Sequence, residues 1–156
     1  MDVTKQETPK AAARRLSGAM LRKGFKPVAL HAYTDADGRA LYYRIRLKHT
    51  DGEKWIRPMY ENGEGFELGE PKFPNGKPLY RVHEIANSTG PVFITEGENT
   101  CDALRKIGIA ATTSGGASSA DSADWTPLKD RECIVWPDND EAGAGYAQAV
   151  TGKLCA

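Results

Sequence analysis

The feature that most constrains this chain is a change of hydrophobic period at Gly90-Pro91. Ahead of it, from Pro27 to Tyr80, apolar residues recur every second position, the period of a half-buried strand. Val28 to Tyr33 leads through Thr34-Asp35-Ala36-Asp37-Gly38 into Leu41 to Lys48, and Asp51-Gly52 then turns the chain into Trp55 to Tyr60. Glu61 to Pro78 is rich in Gly and Pro and reads as loop; order resumes at Leu79 to Ile85. Residues 25–81 therefore read as a small antiparallel sheet. Behind the break, Val92-Phe93-Ile94-Thr95 is a short unbroken apolar run, as in a buried parallel strand. Asn99 is placed to cap a helix to about Ile107 that buries Ala103, Leu104 and Ile107, with Gly108 just past its end. Ile109 to Thr113 and Cys133 to Trp136 read as further strands, separated by Ser114-Gly115-Gly116-Ala117. Glu141 to Leu154 reads as a closing helix with Tyr146, Ala149, Val150 and Leu154 inward. Strand, helix, strand, loop, strand, helix predicts an α/β parallel layout.

A helix also opens the chain: Thr8 is an N-cap, Pro9 takes the first helical position, and Gly24 stops the run after Lys23. The expected organisation has three parts: a basic helix over 1–24, a strand-rich region over 25–90 and an α/β domain over 91–156. No apolar run approaches the roughly 20 residues of a membrane span, and Met1 to Glu7 lacks the basic-then-apolar layout of a secretory signal. Cys101, Cys133 and Cys155 form no CxxC and have no adjacent histidine, which argues against a disulfide framework and against zinc. The expected compartment is the reducing cytoplasm, with no membrane partner. His31, His49 and His83 are scattered and receive no role.

Formal net charge is zero but unevenly spread. Residues 1–91 hold 16 Lys and Arg against 11 Asp and Glu, whereas residues 92–156 hold 5 against 10. A basic half beside an acidic half suits phosphate on one side and divalent cations on the other, although solvated charge alone gives the same count.

The acidic residues fall at one structural place. Glu96-Gly97 follows the first buried strand, and Asp138-Asn139-Asp140 follows the third after Pro137. Ligands of open α/β sheets bind beyond the carboxyl ends of the strands, so Glu96, Asp138 and Asp140 should share one crevice. Converging carboxylates repel, and a hard divalent cation with oxygen ligands relieves them. Helix capping is the competing explanation for Glu98, Asp102, Asp140 and Glu141. It does not account for Glu96, which precedes the helix. Asp102 is the weakest metal candidate, since it sits at a capping position after Asn99. Gly97 lets the chain turn or a ligand approach, and Gly143 opens the last helix beside the carboxylates.

These residues carry a resemblance. Apolar strand, Thr95-Glu96-Gly97, an Asp-Ala-Leu helix, the Gly115-Gly116 loop and Val135-Trp136-Pro137-Asp138-Asn139-Asp140-Glu141-Ala142-Gly143 together resemble the Toprim domain of bacterial-type primases, topoisomerases and nucleases. The match covers about residues 91–154, and Glu96-Gly97-Glu98-Asn99-Thr100-Cys101-Asp102-Ala103-Leu104 is most similar to Toprim modules of primase-helicase proteins from phages, plasmids and integrated elements. The resemblance implies Mg²⁺- or Mn²⁺-dependent nucleotidyl or phosphoryl transfer in DNA replication, with Glu96 as general acid/base and Asp138 and Asp140 holding the metal. It implies single-stranded DNA template and nucleotides as substrates, and a replicative helicase or helicase domain as partner. Thr100 stands where many bacterial primases carry aspartate, with Asp102 a substitute two positions on, and Ala117 to Asp124 lacks the Lys or Arg that related modules place there. Toprim domains usually add another strand, so a fragment of a larger protein is expected.

In the basic half, Arg44, Arg46 and Lys48 alternate with Tyr42 on one strand face, and Trp55 and Arg57 are expected to join them. Cations interleaved with aromatics suit single-stranded nucleic acid, and snorkelling arginines on a solvated face are the plain alternative. Three functions follow: a primase making primers, a Toprim nuclease, or a non-catalytic nucleic-acid-binding module.

Overall fold

The computed structural model describes residues 6–156, which form two compact units interleaved in sequence. The first comprises the chain up to residue 32 and residues 41–72; the second comprises 33–40 and 73–156. The units thus cut the chain elsewhere than at 24 and 90. The tip of the first hairpin and residues 73–90 go with the α/β unit, because Leu79 and Ile85 are buried in its core.

In the first unit the N-terminal helix starts as expected: the Thr8 hydroxyl accepts from the Ala11 N–H, and Pro9 opens α1 (Pro9–Leu16). It does not run unbroken to Lys23. Ser17 is buried and donates its hydroxyl to the Ala13 carbonyl at 2.7 Å, and a separate turn α2 (Gly18–Arg22) follows it. Gly24, at φ +94°, ends the helical segment. Strands β1 (Lys26–Thr34), β2 (Ala40–Lys48), β3 (Lys54–Glu61) and β4 (Phe66–Leu68) lie in that order in one antiparallel sheet. The last falls inside the stretch expected to be loop: Glu61 pairs with Phe66 and Met59 with Leu68, a short return strand among the glycines. Ala12 and Ala13 of α1 pack with Phe25, Ile45, Leu47 and Met59 as the core.

The second unit carries a three-stranded parallel sheet in the order β6-β5-β7, built from β5 (Val92–Thr95), β6 (Ala111–Thr112) and β7 (Cys133–Trp136). A short α3 (Val82–Ala86) precedes it, entered through Arg81 in a left-handed conformation. Helix α4 (Glu98–Lys106) joins β5 to β6, and α5 (Glu141–Leu154) follows β7. The α/β parallel layout is therefore present, but α4 begins one residue before Asn99. Its N-cap is Gly97, without a side-chain cap, and its buried face is Glu98, Cys101 and Leu104 rather than Ala103 and Ile107, which are exposed. In α5 the expected Tyr146 and Val150 are buried in the core with Val92 and Ile94, against which Ala149 and Leu154 also pack. Among the described residues no helix is long and apolar enough to cross a membrane.

Candidate functional site

Parallel pairing of β5 with β7 sets the geometry. Thr95 is paired with Trp136, so Glu96 and the Pro137-Asp138 segment leave the sheet side by side at its carboxyl edge. The Asp138 backbone N–H lies near enough to the Glu96 carboxylate to favour its charged form. Asp140 is the N-cap of α5, its Oδ1 accepting from the Gly143 N–H at 2.6 Å. Asp138 and Asp140 are exposed, whereas Glu96 is half-buried and its Oε2 is buried with no hydrogen-bond partner. Burial lifts the Glu96 pKa above its ordinary value of 4.5, the negative charges of Asp138 and Asp140 push it further, and the Asp138 N–H opposes them in part. An orphaned buried carboxylate oxygen within electrostatic reach of two more carboxylates is short of positive charge.

Gly143 accounts for the closeness. A Cβ there would run into the Asp138 backbone, 2.8 Å from its carbonyl carbon and 2.9 Å from its nitrogen. The α5 N-terminus can rest on the Asp138 main chain only because this position has no side chain. Gly97 is different: its backbone is extended at φ −144°, which any residue adopts, and the space around it is open. The chain bends at Glu96-Gly97 without a backbone conformation that requires glycine, and the position leaves room for approach from outside. In the Gly-Gly loop the Gly115 N–H donates to Thr113 Oγ1 and the Gly116 N–H to Ser119 Oγ, so these two amides are turned inward.

Asp102 is engaged elsewhere. Arg81 Nε donates to it at 2.9 Å and the Tyr80 hydroxyl at 3.0 Å, while Arg81 and Arg105 also pair with Glu84. Its charge is answered by arginine, so the acidic group consists of Glu96, Asp138 and Asp140. Glu98, which in the sequence reads as a helix-start acid satisfied by the dipole, is held differently. It is 4% exposed, and the fully buried Tyr33 donates its hydroxyl to Oε1 at 2.8 Å. That tyrosine lies on the hairpin tip, 65 positions away in sequence, and no local pattern announces it.

The basic strand is divided by its register. Arg44, Arg46 and Lys48 are opposite Pro58, Ile56 and Lys54, whereas Trp55 and Arg57 are opposite Leu47 and Ile45. Directly paired residues share a face, so Trp55 and Arg57 lie on the other side of the sheet from the three cations. Trp55 packs against the core, with Arg57 5.6 Å over its ring. Tyr42 is 3% exposed and offers no open ring. Lys48 is exposed; Arg44 and Arg46 are half-buried.

Among the described residues no group of three or more His, Cys, Asp or Glu side chains is gathered closely enough to hold a metal ion. No family model matches the chain, and neither a curated protein nor a solved structure matches it.

Proposed function

We propose that residues 91–156 are the Toprim-type catalytic part of a DNA primase, a Mg²⁺-dependent nucleotidyltransferase working on single-stranded DNA template with nucleotides. The observation that carries this is the buried, unpartnered Glu96 Oε2 within electrostatic reach of Asp138 and Asp140. Mg²⁺ keeps several waters and takes one or two carboxylates, so a sparse acidic edge suits it better than a closed cage does. Asp138 and Asp140, both exposed, would hold the ion, with Glu96 closing the inner side. The bound ion supplies neutralisation of phosphate charge and alignment for in-line displacement. Glu96 Oε2 then takes a proton from the attacking hydroxyl or returns one to the leaving oxygen, as its raised pKa suits. The Gly143 N–H fixes the orientation of Asp140, and the nearby Asp138 N–H favours the charged form of Glu96. In the first unit, Arg44, Arg46, Lys48 and Lys54 form the face suited to template phosphates, without aromatic stacking from Trp55.

The test is incubation of the protein with single-stranded template, Mg²⁺ and labelled ribonucleotides. Short labelled products, lost in Asp138→Asn, are expected. Template cleavage without nucleotides would favour the nuclease instead, and absence of Mg²⁺ or Mn²⁺ binding at millimolar concentration would leave a binding module.

Glu96 makes a separate prediction about pH. A carboxyl whose folded pKa is raised contributes stability that is complete below its unfolded pKa and is lost as pH rises through the folded value. Glu96→Gln should therefore melt higher than wild type near neutral pH without metal, the gap closing toward about pH 4. With Mg²⁺ the gap should shrink or reverse, since wild type, with its third carboxylate, gains more. Melting curves across that range, with and without Mg²⁺, decide it; a gap that widens on acidification would contradict the crowded-carboxylate account.

A further inference from the structure

The parallel sheet has one face that its core does not use. Val92, Ile94, Cys133 and Val135 point into the hydrophobic core, whereas Phe93, Ile134 and Trp136 alternate to the other side. Phe93 is half-buried, but Ile134 is 38% and Trp136 51% exposed. The Trp136 ring leans on Phe93, with centroids 5.7 Å apart and planes tilted by 49°. An indole supported from one side and open on the other is a rigid aromatic platform. Its position matters: Asp138 lies two residues further on, about 7 Å along an extended chain. That is the spacing at which a planar base and its phosphate can be held by different groups of one site.

We propose that Trp136, backed by Phe93, is a stacking subsite for a nucleobase whose phosphate is bound through a cation at the Glu96–Asp138–Asp140 edge, an inference that rests on the metal-dependent reading above. Charge makes the two halves interdependent. The residues that follow Trp136 are Pro137-Asp138-Asn139-Asp140, so a phosphate next to the indole is repelled until a divalent ion answers the carboxylates. Stacking tolerates any base, because every base has a π-face, and so gives affinity without sequence preference. A free nucleotide and a strand terminus present the same base and phosphate.

The test is fluorescence titration of the whole chain, which has three tryptophans, against Trp136→Phe as the blank that isolates the Trp136 signal. A deoxynucleoside triphosphate, a short oligodeoxynucleotide and inorganic triphosphate serve as probes, each with and without Mg²⁺. Quenching of Trp136 by a base-bearing probe is expected only with Mg²⁺, and inorganic triphosphate should bind without quenching. Whichever base-bearing probe acts at lower concentration identifies the source of the base. Trp136→Ala should weaken that probe on the order of ten- to a hundred-fold, leaving affinity for Mg²⁺ and inorganic triphosphate unchanged, and Trp136→Phe should retain most of the binding. Equal affinity in wild type and Trp136→Ala, with Mg²⁺ binding intact, overturns the subsite alone. Emission that shifts with protein concentration, together with a dimer mass, would show that a second copy covers the face and overturns it too. Failure of wild type to bind Mg²⁺ removes the metal reading first and this inference with it.

Discussion

Asp140→Asn should fold as well as wild type or slightly better, and should lose Mg²⁺. The two effects separate because Asp140 has two duties. As N-cap of α5 it accepts from the Gly143 N–H, and Asn caps about as well as Asp. As one of the negative charges that raise the Glu96 pKa, it repels in the metal-free protein, so its neutralisation is relieved strain. Outer-shell partners of metal ligands typically cost about 10- to 100-fold in affinity when removed. Loss of a charged ligand itself should therefore weaken Mg²⁺ by at least about 100-fold, with transfer activity falling in step. Asp140→Ala provides the contrast: it loses the metal and also about 1 kcal/mol of cap. Calorimetric Mg²⁺ titration together with thermal melts checks both. If Asp140→Asn keeps the wild-type metal-induced rise in melting temperature, Asp140 is a cap and nothing more.

Gly143→Ala should be the most damaging small substitution in the α/β unit. In a helix interior this exchange ordinarily stabilises by roughly 0.5–1 kcal/mol. Here the sign reverses, since the new methyl meets the Asp138 main chain rather than a flexible side chain. Overpacking of this kind costs about 1–3 kcal/mol, and relief requires either the start of α5 or the Asp138 segment to move. Each movement parts the Asp140 cap or shifts Asp138 away from Glu96, so metal affinity should fall along with stability. Gly145→Ala, in the same helix with open space at its Cβ position, is the control and should be neutral or stabilising. Equal melting temperatures for the two variants would mean that the α5 N-terminus does not rest on Asp138.

How much of this was legible in the sequence follows from the range of the forces involved. Thr8-Pro9, the strand periods and the apolar run at Val92 are local signals, and each produced its element. Glu96 and Asp138 were legible as neighbours because parallel strands deliver their ends to one edge, whatever the side chains do. The boundaries of α4 were misjudged because Glu98 is buried through a tyrosine from a distant hairpin, rotating the buried face away from Ile107, which is 72% exposed. The aromatic-cationic strand failed for a different reason. Alternation within β2 was read correctly for Ile45 and Leu47, but the face of β3 depends on its register against β2. A shift by one residue exchanges the faces, and only the paired sheet fixes it.

The interleaving of the two units has a consequence for how the chain can be taken apart. Residues 33–40 belong to the α/β unit although β1 and β2, which they connect, build the other sheet. No single cleavage of the backbone therefore yields both units entire. A fragment starting at residue 73 would keep every α/β strand yet lose the Tyr33 hydroxyl from Glu98, the Tyr33 ring from Tyr80, and Thr34 from His83. On a ribosome the order is fixed in the opposite direction: the hairpin tip emerges long before the helix that receives it. The start of α4 at Glu98 is thus finished with a piece made early and stored, and its assembly is timed by the slower-arriving half of the polypeptide.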